Sequence, residues 1–137
     1  MKTIIIKNQK EYDNLPKNFR KGAEIFIYAH LKGETIIPSN CNVIIEEEGE
    51  IDFLAGGEIA QNKGTIIHMK YGKVSINEGY ILEFFSGKVH VNQGVIVDFF
   101  GGHLAINKKG IPVRSNGFDE QLSGIKHFRG GFIGCEK

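Results

Sequence analysis

Apolar and polar positions alternate through the middle of the chain, and the alternation itself recurs. Residues 57–71 read GEIAQNKGTIIHMKY, residues 72–86 GKVSINEGYILEFFS and residues 87–101 GKVHVNQGVIVDFFG. Residues 102–116 begin GHLAINKKGIPVR, and residues 42–56, NVIIEEEGEIDFLAG, keep the same phase. The period is fifteen residues. Position one of the block is Gly57, Gly72, Gly87 and Gly102, and position six is Asn62, Asn77, Asn92 and Asn107. Position eight is Gly49, Gly64, Gly79 and Gly94, slipping to Gly110 in the last block; position ten is Ile51, Ile66, Ile81 and Ile96; position thirteen is Leu54, Met69, Phe84 and Phe99.

Within a block the apolar third position (Ile59, Val74, Val89, Leu104) and fifth (Ile76, Val91, Ile106) flank a small or polar fourth. Period-two alternation with β-branched residues predicts a strand. The following Asn-x-Gly predicts a turn, because glycine reaches positive φ and asparagine bonds nearby backbone. A second strand, YILEFF or VIVDFF, then runs to the next glycine corner. Two folds fit this period: an antiparallel meander, and a β-solenoid with one coil per block. In a meander, like positions lie two strands apart and gain little from identity. In a solenoid they stack at about 4.8 Å, so that side-chain amides can bond coil to coil and aromatic rings can pack. The repetition of Asn on Asn and Phe on Phe therefore favours a mainly β, single-domain β-solenoid of about five 15-residue coils, roughly 24 Å long.

A solenoid has open strand edges at both ends and needs caps. KTIIIKN reads as a strand, Asn8 with Glu11 as a capping-box-like start of a short helix QKEYDNL, and AEIFIYAHL as a strand leading into the first coil. At the other end Phe118, Leu122 and Ile125 have helical spacing. The expected organisation is an N-terminal α/β cap and first strands over 1–41, the solenoid over 42–116 and a C-terminal cap over 117–137.

Composition sharpens this picture. Eighteen glycines in 137 residues is about twice the usual share of roughly 7%, and most fall on the repeat's corners. Seventeen Lys and Arg against sixteen Asp and Glu give a net charge of +1. That balance argues against a protein holding nucleic acid by charge, and no direct nucleic-acid partner is expected. MKTIIIKNQKEYDN turns polar too soon for a signal peptide, and no apolar stretch is long enough to cross a membrane, so a cytoplasmic location is expected. Cys41 and Cys135 have no metal or redox spacing and read as reduced thiols.

Candidate chemistry is sparse. Of His30, His68, His90, His103 and His127, the three inside the repeat (His68, His90 and His103) share no column; none of the five has partners at metal-site spacing, and all read as solvent-facing, so no metal or cofactor is expected. Column twelve stacks His68, Glu83 and Asp98, which read as an outward polar line; the alternative is acid–base work by the paired carboxylates in a small hydrolase or transferase. Strict alternation places Phe84 and Phe99 in the core in phase with Ile67, Leu82 and Val97. It turns Phe85 and Phe100 outward together with Ile81 and Ile96. An exposed apolar ladder of that kind marks an interface, either with a partner protein or in a homodimer, unless Phe118, Phe128 or Phe132 folds back to cover it. The acidic run Glu46, Glu47, Glu48, Glu50 and Asp52 is either a solvated face or a patch that docks on a basic groove, such as the nucleic-acid channel of a host enzyme.

The segment TIIIKNQKEYDNLPKNFR followed by EIFIY resembles the opening of small repetitive proteins of bacteriophages and prophages, in which a strand–helix–strand head precedes short β-solenoid coils. The resemblance spans about residues 3–28 and carries no catalytic residues. It implies a phage or mobile-element origin and a non-enzymatic role: binding and inhibiting a host defence protein, as anti-CRISPR proteins do. The alternative is a self-assembling structural β-solenoid of the bactofilin type.

Overall fold

A computed structural model of the chain describes residues 2–20, 22–108 and 124–134. Every paired strand runs parallel to its neighbours, and the strands form two sheets. One contains, in spatial order, β1 (Lys2–Ile6), β2 (Ala23–Ile27), β4 (Asn42–Ile45), β6 (Glu58–Asn62), β8 (Lys73–Asn77), β10 (Lys88–Asn92), β12 (His103–Asn107) and β14 (Phe132–Ile133). The other contains β3 (His30–Ile36), β5 (Glu50–Gly56), β7 (Thr65–Met69), β9 (Tyr80–Phe84), β11 (Val95–Phe99) and β13 (Ile125–Phe128). Each turn of chain gives one strand to each sheet, which makes a β-solenoid of about six turns. The turn beyond the five expected is the Ala23–Ile36 segment: AEIFIYAHL, residues 23–31, reads from sequence as one strand but divides between β2 and the start of β3.

The fifteen-residue register is literal. Glu58 pairs with Lys73, Lys73 with Lys88 and Lys88 with His103; on the other sheet Ile51, Ile66, Ile81 and Ile96 form one file. The two glycine columns serve different needs. Gly57, Gly72, Gly87 and Gly102 hold φ between 91° and 107°, a conformation that L side chains resist, and so turn the chain from one sheet to the other. Gly79 has no such torsion, but a Cβ there would collide with the carbonyl oxygen of Gly64 in the coil below. That carbonyl accepts from Tyr80 N at 2.9 Å, so the backbone ladder continues through the corner and leaves no room for a side chain.

The core is built from four columns. Ile59, Val74, Val89 and Leu104 are fully buried, as are Ile51, Ile66, Ile81 and Ile96, and as are Leu54, Met69, Phe84 and Phe99. Each such side chain contributes about 1.5–3 kcal/mol by leaving water. Phe84 and Phe99 stack at 4.9 Å, and Phe128 meets Phe99 edge-on at 5.3 Å. The fourth column is the asparagines, of which Asn62, Asn77 and Asn92 are fully buried.

Strict alternation fails inside each strand. Ile81 and Ile96, expected outside, are in the core; Ile67, Leu82 and Val97, expected inside, are half-buried. Inward residues are three apart (Ile81 and Phe84, Val74 and Asn77), with two consecutive outward residues between them. A coil of fifteen residues must bend to close on itself, and the bend falls between the inward positions. The same shift turns Ile76 and Val91 away from the core and points the asparagines into it.

Between β1 and β2 the helix α1 (Gln9–Asp13) starts at Asn8, whose side chain accepts from Glu11 N at 2.9 Å. Its side chains reach β3, the outermost strand of its sheet: Gln9 Oε1 accepts from Lys32 N, and Tyr12 Oη donates to Ile36 O, both at 2.7 Å. Of the residues read at helical spacing near the C-terminus, Ile125 opens β13 and pairs with Ile96; Phe118 and Leu122 lie outside the described residues, as do Gly110 and Cys135.

Candidate functional site

The asparagine column is a continuous ladder. Asn62 Nδ2 donates to Asn77 Oδ1 at 2.8 Å, Asn77 to Asn92 at 2.9 Å and Asn92 to Asn107 at 3.1 Å. Asn62 Oδ1 also accepts from Gly64 N, and Asn92 Oδ1 from Gly94 N. The ladder is structural: it satisfies buried amides. Among the described residues no buried side-chain nitrogen or oxygen lacks a partner.

The outward face of β5, β7, β9, β11 and β13 carries the polar and aromatic side chains. Column twelve runs Phe53, His68, Glu83, Asp98 and His127 in register. His68 stacks on Phe53 at 4.6 Å and its Nδ1 lies 2.5 Å from Glu83 Oε1; Arg129 Nε donates to Asp98 Oδ1 at 3.1 Å. Both carboxylates expected in this column are therefore engaged by cationic or imidazole partners. Two residues on, column fourteen holds Lys70, Phe85, Phe100 and Arg129. Phe85 and Phe100 stack almost flat, 5.0 Å apart with 6° between ring planes, and remain 41% and 40% exposed. Arg129 Cζ sits 5.8 Å above the Phe100 ring, and Lys70 Nζ lies 5.2 Å from the Phe53 ring.

Two of the three aromatics considered as covers lie elsewhere. Phe128 packs on Phe99, and Phe132 packs beside His103 at 5.2 Å on the other sheet; Phe118 is outside the described residues. Ile81 and Ile96, placed on this face from sequence, are beneath it in the core. Arg129 was not legible as a member of the face. Asp98 and its partner His127 are twenty-nine positions apart rather than fifteen, so the last coil leaves the repeat frame.

The acidic run divides. Glu46, Glu47 and Glu48 occupy the turn between β4 and β5, whereas Glu50 and Asp52 lie on β5 to either side of buried Ile51. His30 on β3 pairs in register with Glu50, and its Nε2 lies 2.6 Å from Asp52 Oδ1 and 3.4 Å from Glu50 Oε2. Nor are the other histidines uniformly free: His68 is held by Glu83, and His103 bonds to the Gly134 carbonyl. His30 was missed as a partner of the acidic run because it is twenty residues from Glu50 and precedes the repeat.

Burial raises the Tyr12 hydroxyl well above its ordinary range, assisted by the nearby Cys41 and Asp13; burial also raises the Cys41 thiol, which donates to Pro38 O at 3.2 Å. No helix among the described residues is long and apolar enough to cross a membrane. The fold defines a parallel β-solenoid repeat protein. No protein-family model, no curated protein and no solved structure matches the chain.

Proposed function

We propose that this chain is a non-catalytic, cytoplasmic protein-binding β-solenoid of phage or mobile-element origin. In this reading it inhibits a host defence protein by occupying part of its surface. The observation that carries the reading is the Phe85–Phe100 pair: two stacked rings, each about two-fifths exposed, between Lys70 and Arg129 and beside Glu83 and Asp98. A rigid apolar centre with a charged rim is the arrangement that desolvates well against a complementary protein surface. The rings are already ordered by stacking, so little side-chain entropy is lost on binding. The origin and the class of target rest on the resemblance of residues 3–28 to phage repeat proteins. The non-catalytic part rests on Glu83 and Asp98 being engaged by His68 and Arg129.

The test is a defence assay in bacteria carrying active CRISPR or restriction systems. Expression of the chain should raise phage plaquing on at least one such strain, and Phe85→Ser with Phe100→Ser should abolish that gain while leaving the circular dichroism spectrum unchanged. Equal plaquing with and without the protein across those strains overturns the reading.

A second reading, self-assembly into a structural polymer, draws on the sheet edges. Among the described residues nothing pairs with the outer side of β1 or of β14. Light scattering that grows without limit as concentration rises would support it; a fixed monomer or dimer mass excludes it.

A further inference from the structure

We propose that His30, Glu50 and Asp52 form a binding site for one divalent transition-metal ion of the zinc class. The site lies at the N-terminal end of the six-stranded sheet and does not depend on the role proposed above. One ligand atom from each of the three side chains lies within 4.8 Å of the other two. The contacts from His30 Nε2, 2.6 Å to Asp52 Oδ1 and 3.4 Å to Glu50 Oε2, bracket the spacing a metal imposes. Bonds of about 2.0–2.2 Å in a tetrahedral shell put neighbouring donor atoms roughly 3.3 Å apart. No separation among the three atoms therefore needs to change by more than about 1.5 Å, within side-chain adjustment on two strands whose backbones are already paired.

The repeat supplies an independent reason. The position of Glu50 is Thr65, Tyr80 and Val95 in the later coils, and that of Asp52 is Ile67, Leu82 and Val97. Outward carboxylates replace neutral residues at both positions only in the coil where a histidine stands opposite. Two carboxylates on one face, flanking a single buried residue, repel each other; a dication neutralises both, whereas one imidazole, even protonated, offsets only one of the two charges. The ligand set selects the ion. One imidazole nitrogen with two carboxylate oxygens suits Zn²⁺, Co²⁺ or Ni²⁺; Mg²⁺ and Ca²⁺ prefer oxygen throughout. Three protein ligands leave a fourth position for water or for a side chain brought by a partner. The ion would also clamp β3, the outermost strand of its sheet, to β5.

The test uses the full chain, stripped with chelator and titrated with Zn²⁺ by calorimetry and with Co²⁺ by visible absorption. The expected result is one ion per chain, with affinity reduced at least tenfold by His30→Gln and by Asp52→Asn and unchanged by the control His68→Gln. If either variant fails to fold, amide NMR of the wild-type chain with Co²⁺ takes its place, and the largest perturbations should centre on residues 30 and 50–52. No binding at millimolar Zn²⁺, affinity unaffected by His30→Gln, or perturbations centred elsewhere would each overturn the proposal and leave the triad an ion pair.

Discussion

Replacing Asn77 by alanine tests whether the buried amide ladder holds the coils together. Asn77 is fully buried, accepts from Asn62 at 2.8 Å and donates to Asn92 at 2.9 Å, with a longer contact to Val95 O at 3.4 Å. The substitution removes both ladder bonds, each with a net value of about 0.5–1.5 kcal/mol. The neighbours are not fully stranded, because Asn62 Nδ2 keeps Tyr80 O at 3.3 Å and Asn92 Oδ1 keeps Gly94 N at 3.2 Å. The void left by the amide adds about 1 kcal/mol where the backbone cannot collapse. The expected loss is about 2–4 kcal/mol, which for a chain of this size lowers Tm by about 8–16 °C. Asn107→Ala, at a half-buried position accepting from Asn92 at 3.1 Å, should cost only about 1 kcal/mol. Asn77→Asp should cost more than Asn77→Ala at neutral pH, since it puts a carboxylate in a dry corner and removes the donor. Urea unfolding and thermal melts of the three variants, followed by circular dichroism, make the comparison. Equal losses at 77 and 107, or a Tm change below about 2 °C for Asn77→Ala, would refute the view that the ladder is a principal source of stability.

Three further outcomes are expected. Gly79→Ala should cost about 3 kcal/mol or more, because its Cβ meets backbone that cannot move; Gly33→Ala, with open space but φ of 76°, should cost about 1–2 kcal/mol. Phe84→Ala should cost about 3–5 kcal/mol as a core cavity, whereas Phe85→Ser and Phe100→Ser should cost about 1 kcal/mol each; denaturant midpoints separate the two classes, and equal losses would mean that Phe85 is core. Stability should decline above about pH 10. The Tyr12 hydroxyl is held protonated in the folded chain and ionises near its ordinary value when unfolded, so its contribution is complete below that value and is lost as pH rises further. Tyr12→Phe should flatten that alkaline limb in pH-dependent urea melts; an unchanged slope would show that the Tyr12–Ile36 contact does not govern it.

The repeat makes the fold legible in the sequence itself. Identity at fifteen-residue spacing gains energy only if like residues stack, and Asn62 to Asn107 and Phe84 on Phe99 do stack. The same periodicity put Phe85 and Phe100 on one outward line and His68, Glu83 and Asp98 on another, and the pairings bear this out. What misled was the assumption of unbroken alternation. It moved Ile81 and Ile96 outside and Leu82 and Val97 inside, because side-chain direction depends on where the coil bends, and chain closure sets that bend.

The convergence of His30 with Glu50 and Asp52, and of Arg129 with Asp98 and Phe100, belongs to the same class of information. These contacts join residues whose spacing, twenty or more positions, departs from the repeat frame; no local propensity encodes them. Local pattern determined that the chain is a stack of parallel coils and which columns it stacks, since strand, turn and stacking energies act over a few residues or over one exact period. Tertiary structure alone decided which neighbours meet across irregular connections, because that depends on how the first and last coils close onto a register already set by the middle ones.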